Sequence, residues 1–148
     1  LTGRGFDPDA VSAALNLVPT RAVYEGNSIG MGGRISGYSS WQYGTPILRD
    51  GDVFRLNEIA DELIVTLLPV QDKIAELIKA HRLEAYLMIV LTVSTDERDS
   101  TPAIGFSPQV ISFCHAVGAS IEFDIYQGQA DEEEEADYRA DNPPRVLH

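Results

Sequence analysis

At 148 residues, with 44% hydrophobic and 23% charged, the chain can bury one sizeable core and is too short to expect two. Its 23 acidic residues against 11 Lys and Arg give a formal net charge of −12. That balance argues against a nucleic-acid binder and against a basic membrane-surface module, because both depend on clustered Lys and Arg.

One cysteine, Cys114, leaves no internal disulfide to form and fits a reducing, cytoplasmic setting. The longest apolar run, around Leu87 to Val93, is far below the ~18 residues of a membrane helix. No charged segment precedes an apolar stretch near the start, so no signal peptide is read. The chain does not open on Met, and a first strand at or before Leu1 to Arg4 is expected.

In chain order, Asp7-Pro8-Asp9 predicts a helix start. Asp7 can accept from free backbone N–H groups, and Pro8 suits the first helical position. Val11, Ala14, Leu15 and Val18 recur at helical spacing, and Asn16 followed by Pro19 predicts an early stop. Thr20 to Glu25 predicts a short strand. Five glycines then fall between Gly26 and Gly37, after which Ile35 to Tyr43 predicts a strand with Trp41 and Tyr43 on one face. Thr45 to Asp52 reads as turns.

Leu56, Ile59, Ala60, Leu63 and Leu67 predict an amphipathic helix, which Pro69 should break before a second one carrying Val70, Ile74, Leu77 and Ile78. Tyr86 to Val93 is apolar on both faces and predicts a central strand. Asp96 to Thr101 reads as a turn, and Ala103 to Phe106 as a short strand. Ser107-Pro108 should open a helix with Val110, Ile111, Cys114 and Val117 inward and Gly118 as its stop. Ile121, Phe123 and Ile125 alternate with Glu122, Asp124 and Tyr126, which predicts a half-buried strand.

Gly5-Phe6-Asp7-Pro8 and Gly105-Phe106-Ser107-Pro108 form an internal echo 100 residues apart. Each copy enters a capped helix and leaves into a strand, so a duplicated βαβ arrangement is expected. The tail from Asp131 to Asp141 holds seven acids and one Arg, which is half of the net charge. It reads as a solvated run, with a helix over Asp131 to Arg139 or packing on a neighbouring chain as its ordered options.

Several stretches together resemble a bacterial family catalogued as domain of unknown function 4279. They are Phe6-Asp7-Pro8-Asp9, the exit Leu15 to Thr20, Trp41, the Leu-rich helix, Phe106-Ser107-Pro108, and Gly118 to Tyr126. The resemblance spans about residues 5 to 126 and excludes the acidic tail. It implies a small bacterial α+β domain and carries no activity or catalytic residues.

The chemical motifs are weak. Gly30 to Gly37 lacks the Lys of a phosphate-binding loop and precedes a strand, so a hairpin is the favoured reading. Arg34 and the glycines keep a backbone anion nest as the lesser alternative. His81, His115 and His148 are too dispersed for a metal set, and Asp96 to Asp99 lacks a calcium loop's spacing. Cys114 and His115 are adjacent, so on a helix they point about 100° apart and make no dyad. Glu122 and Asp124 share a strand face at about 7 Å, compatible with paired carboxylates and more simply with a solvated face.

The expected fold is a single α+β domain over residues 1–126, followed by an acidic tail over 127–148. Its sheet is mostly antiparallel or mixed, of five to six strands, with helices mainly on one face in a ferredoxin-like duplicated βαβ arrangement. No catalytic residue, metal or cofactor is assigned. The leading expectation is a non-enzymatic binding module, inhibitor- or immunity-like, that meets a basic protein partner through the second sheet face. That face would carry Tyr86, Met88, Val90, Glu122, Asp124 and Tyr126. One alternative is a small-ligand or enzyme cleft between the Gly-rich loop and the sheet, using Arg34, Trp41, Glu122 and Asp124. Another is a homodimer joined through the tail.

Overall fold

The computed structural model describes residues 1–30, 32–45, 56–93 and 103–127. The chain opens with strand β1 (Thr2–Gly3), then helix α1 (Pro8–Leu15) and strand β2 (Arg21–Val23). Gly5 adopts φ +68°, a left-handed conformation that ends β1 and turns the chain toward α1. The start of α1 follows from its own residues. Asp7 accepts from the Asp9 N–H at 3.0 Å, Pro8 occupies the first turn, and Asn16 closes the helix in the left-handed region. Val11 and Leu15 are buried on one face, whereas Val18 lies beyond the helix and is exposed.

The Gly-rich segment is the outer half of a long hairpin. Strands β3 (Ser28–Ile29) and β4 (Arg34–Ile35) pair antiparallel, and the turn between them carries positive φ at Gly30 and Gly33. Strand β5 (Ser39–Gln42) returns against β2. The expected continuous strand from Ile35 to Tyr43 is therefore split. Ser36 causes the break, because its hydroxyl donates to the Tyr38 carbonyl at 2.6 Å and also accepts from the Tyr38 N–H, which closes a local turn.

β1 and β2 both lie antiparallel to β5, with β5 between them. They are thus parallel to each other, and β1-α1-β2 is a split βαβ unit.

Helix α2 (Leu56–Leu67) is followed by a single 3₁₀ turn (Leu68–Val70) at Pro69 and then α3 (Gln71–His81), so the proline divides the two helices as expected. Strand β6 (Tyr86–Val93), helix α4 (Pro108–Val117) and strand β7 (Ser120–Gln127) form a second βαβ unit, in which β6 and β7 are adjacent and parallel. The two halves of the echo thus both build βαβ units with left-handed helix stops, at Asn16 and Gly118.

One expectation is corrected here. The described strands do not form a single sheet of five to six; they form a three-stranded sheet, a two-stranded hairpin and a two-stranded parallel sheet. An isolated antiparallel bridge joins Thr2 of the first sheet to Glu84, two residues ahead of β6. The reason is local: β1 is two residues long and turns away at Gly5, so it cannot follow β6. Gly3 also lies so close to Leu83 that an added Cβ would approach its Cδ2 at 2.8 Å. The ferredoxin-like arrangement does not appear either, since β6 and β7 are neighbours with no strand inserted between them.

All four α-helices of the described residues contribute to one core: Val11 and Leu15 from α1, Ala60 and Ile64 from α2, Ile74 from α3, and Val110, Phe113, Cys114 and Val117 from α4. Phe6, Trp41 and Leu83 complete it. In α4 the inward residues include Phe113, not Ile111, which is exposed. Positions 110, 113, 114 and 117 are the set that one helical face selects. Residues 103–107 form no strand among the described residues. The turns expected at 46–52 and 96–101, and the acidic tail, lie outside the described residues.

Candidate functional site

Strand β6 sorts its side chains by parity. Leu87, Ile89 and Leu91 share one face, with Ile89 and Leu91 buried and Leu87 packed against the helical core, while Met88 and Val90 on the other face are 42% and 62% exposed. The reading of β6 as a central strand is not matched among the described residues: β7 is its only full-length neighbour, and one of its faces is open.

The register of β7 builds the open face across both strands. Tyr86 lies opposite Ser120, Met88 opposite Glu122, Val90 opposite Asp124, and Thr92 opposite Tyr126. Paired residues share a face, so five expected site residues come together here: Tyr86, Met88, Glu122, Asp124 and Tyr126.

Hydrogen bonds hold this face in place. The Ser120 hydroxyl donates to Glu122 Oε1 at 2.8 Å, and the Tyr126 hydroxyl donates to Asp124 Oδ2 at 2.9 Å. The Tyr86 hydroxyl and the Thr2 hydroxyl share a hydrogen bond of 2.9 Å, which ties the end of β6 to β1. Neither of these two strands places a Lys, Arg or His on the face. It presents two exposed carboxylates among Met, Val and Tyr side chains.

The other two expected site residues lie elsewhere. Trp41 is 4% exposed and belongs to the core: its ring stacks on Tyr43 at 6.0 Å, and Nε1 donates to the Ser12 hydroxyl at 3.0 Å. Ser12 passes the bond on to the Pro8 carbonyl at 2.9 Å. Arg34 is exposed on the β3–β4 hairpin, which runs strand to strand and offers no helix N-terminus of the kind a phosphate-binding loop uses.

A shallow, open pocket of about 150 Å³ lies between β2 and that hairpin, lined by Arg21 to Tyr24 and Asn27 to Gly30. None of Arg34, Trp41, Glu122 and Asp124 lines it. Its volume is below the roughly 300–1,000 Å³ of small-molecule sites. Among the described residues, no three His, Cys, Asp or Glu side chains are grouped to hold a metal ion.

Cys114 is buried in α4 while His115 is exposed, so the two share no face. Burial pushes the Cys114 thiol pKa up, which keeps it protonated and unreactive. The native protein should therefore resist labelling by a thiol-reactive disulfide reagent at pH 8 and take up one equivalent once unfolded in urea. Stoichiometric labelling of the native state within seconds would show that the thiol is accessible.

The residue pattern left two features unread. One is Asp61 of α2, which accepts a hydrogen bond from the hydroxyl of Ser107, the residue that also caps α4 through the Val110 N–H. The only signal for it was the cap itself. The other is the exposure of Phe123 and Ile125, at 44% and 54%, where alternation predicts burial. Helix length explains it. α4 has ten residues and spans about 15 Å, while the eight residues of β7 span about 26 Å. The C-terminal part of the helix covers the start of the strand, at Ile121, and Phe106, just ahead of the helix, lies beside Phe123 with ring centroids 6.1 Å apart, while Ile125 is left beyond the helix.

No helix among the described residues is long and apolar enough to cross a membrane. No curated protein and no solved structure matches the chain. A family model does match, over residues 1–128, taking in the Gly-rich hairpin and both βαβ units and stopping short of the acidic run. With its capped helices, its Trp41 core and the β6-α4-β7 unit inside that span, the chain belongs to the family described as Domain of unknown function (DUF4279).

Proposed function

We propose that this domain is a non-enzymatic binding module, inhibitor- or immunity-like, that engages a basic protein partner through the open face of β6 and β7. The observation that carries this reading is the company Glu122 and Asp124 keep: exposed Met88, Val90 and Tyr126 on the same face, with no cation among them on either strand. Carboxylates beside aromatic and Met side chains suit a contact that is apolar at its centre and cationic at its rim. The net charge of −12 would steer such a partner toward the domain at low salt and disfavours nucleic acid and anionic membranes. The assigned role requires no cofactor.

Affinity capture at ~50 mM salt, with the wild-type protein and a Glu122→Lys/Asp124→Lys variant side by side, tests it. Basic proteins retained by the wild type should be released as salt rises through the screening range. The variant should bind them at least about tenfold more weakly, as expected when close charge pairs are reversed. Equal retention by both proteins, insensitive to salt, would refute the reading.

A further inference from the structure

β7 has an open edge as well as an open face. Among the described residues its only neighbour is β6, which pairs with it along all eight residues. The Ser120 N–H donates to the Ala85 carbonyl across that pairing at 3.0 Å. In a strand, the N–H and C=O of a residue point to the same side, and the side alternates along the chain. The backbone groups of Ser120, Glu122 and Asp124 therefore address β6, and those of Ile121, Phe123 and Ile125 address the open edge. Among the described residues these three have no backbone partner on that side.

Long edge strands are templates for further pairing, and proteins commonly blunt them with Lys, Pro or a bulge. The sequence of β7 contains neither Lys nor Pro, and its register with β6 advances residue by residue without a bulge. Its side chains alternate in a way that specifies what could be added: Glu122 and Asp124 on one face, exposed Phe123 and Ile125 on the other.

We infer that the open edge of β7 takes up an extended segment of the partner as an added strand, with Lys or Arg beside Glu122 and Asp124 and apolar residues beside Phe123 and Ile125. This rests on the function proposed above and adds the chemistry and backbone conformation of the partner. Main-chain hydrogen bonds would supply affinity and the alternation would supply register. A second copy of this chain is the less suitable occupant. Symmetric antiparallel pairing centred on Glu122, Phe123 or Asp124 sets Glu122 against itself, Glu122 against Asp124, or Asp124 against itself, and like charges directly opposite are destabilising.

The test uses a nine-residue peptide alternating Lys and Val, measured by fluorescence anisotropy at low salt. A peptide of identical composition with its Lys and Val in separate blocks is the control. The alternating peptide should bind at least tenfold more tightly than the blocked one. Methylating every second backbone nitrogen in one phase should abolish binding, and in the other phase should spare it. Ile125→Pro removes an N–H that faces the open edge, a position where Pro is tolerated. It should leave the circular dichroism spectrum intact and weaken binding at least tenfold.

If Ile125→Pro and both methylated peptides bind like their parents while Glu122→Lys/Asp124→Lys does not, the edge inference falls and the face reading stands. Full binding by the charge-reversed variant would sink both. A wild-type dimer in light scattering that Ile125→Pro converts to monomer would overturn the inference in favour of self-pairing. Should Ile125→Pro fail to fold, the two methylation phases decide: equal binding by both refutes the added strand.

Discussion

Replacing Trp41 by alanine should lower stability by about 3–5 kcal/mol, the range for removing a large aromatic side chain from a core. In a domain of this size that is a fall on the order of 10 °C in melting temperature. Three contacts are lost together: the apolar area buried against α1, the stacking on Tyr43, and the hydrogen bond from Nε1 to Ser12. Trp41→Phe should cost less, because a ring remains and Ser12 keeps its bond to the Pro8 carbonyl. Trp41 is the only tryptophan, so its fluorescence reports the wild-type transition and circular dichroism must follow the variants. A melting temperature for Trp41→Ala within 2 or 3 °C of the wild type, on the order of 1 kcal/mol, would show that Trp41 is not the anchor of this core.

Ser107→Ala should be the next most damaging of the changes considered, at about 1–3 kcal/mol. Two effects combine. The helix loses its N-cap, a change that costs roughly 0.5–2 kcal/mol. Asp61, half-buried between α2 and α4, loses the hydroxyl that donates to it, and a polar group deprived of its partner is costly. Because the serine serves both helices, removing Asp61 in the same chain should add less than it does alone, a coupling that a double-mutant cycle measures. Urea unfolding that leaves Ser107→Ala within about 0.5 kcal/mol of the wild type would show that this junction contributes little. Ser suits this position of the echo, where α1 uses Asp7, because a second carboxylate in contact with Asp61 would be repelled.

These two sites show what kind of information lies along the chain. The bounds of α1 and α4 are readable because their determinants are adjacent residues: Asp7 with Pro8, Ser107 with Pro108, and the stops at Asn16 and Gly118. Pro69 divides α2 from α3 for the same reason. The echo at an offset of 100 residues marks two capped helices that each lead into a strand, whereas the entry strand of the second unit is β6 and not the one expected at 103–106. The shared face of Tyr86, Met88, Glu122, Asp124 and Tyr126 follows from strand parity once β6 and β7 are aligned. Trp41 is less legible, since a lone Trp beside a Gly-rich segment suits a core and a cleft equally until its neighbours are known.

By itself, then, the sequence determined where the helices start and stop, the parity of the strands, and the acidity of the chain. Tertiary structure alone decided which strands became neighbours and how far each helix reached. β1 is only two residues long, Thr2–Gly3, and bridges the chain at a single residue, Glu84, ahead of β6, where a longer strand would have merged the sheets. α4 does not span the full length of β7, so Ile125 is exposed and Phe123 stays partly exposed beside the Phe106 ring, although their alternation is that of buried residues. Capping and periodicity are short-range and are carried by neighbouring residues. Pairing and coverage depend on lengths and directions of elements far apart in the chain, and no local pattern encodes the difference between a helix spanning about 15 Å and a strand spanning about 26 Å.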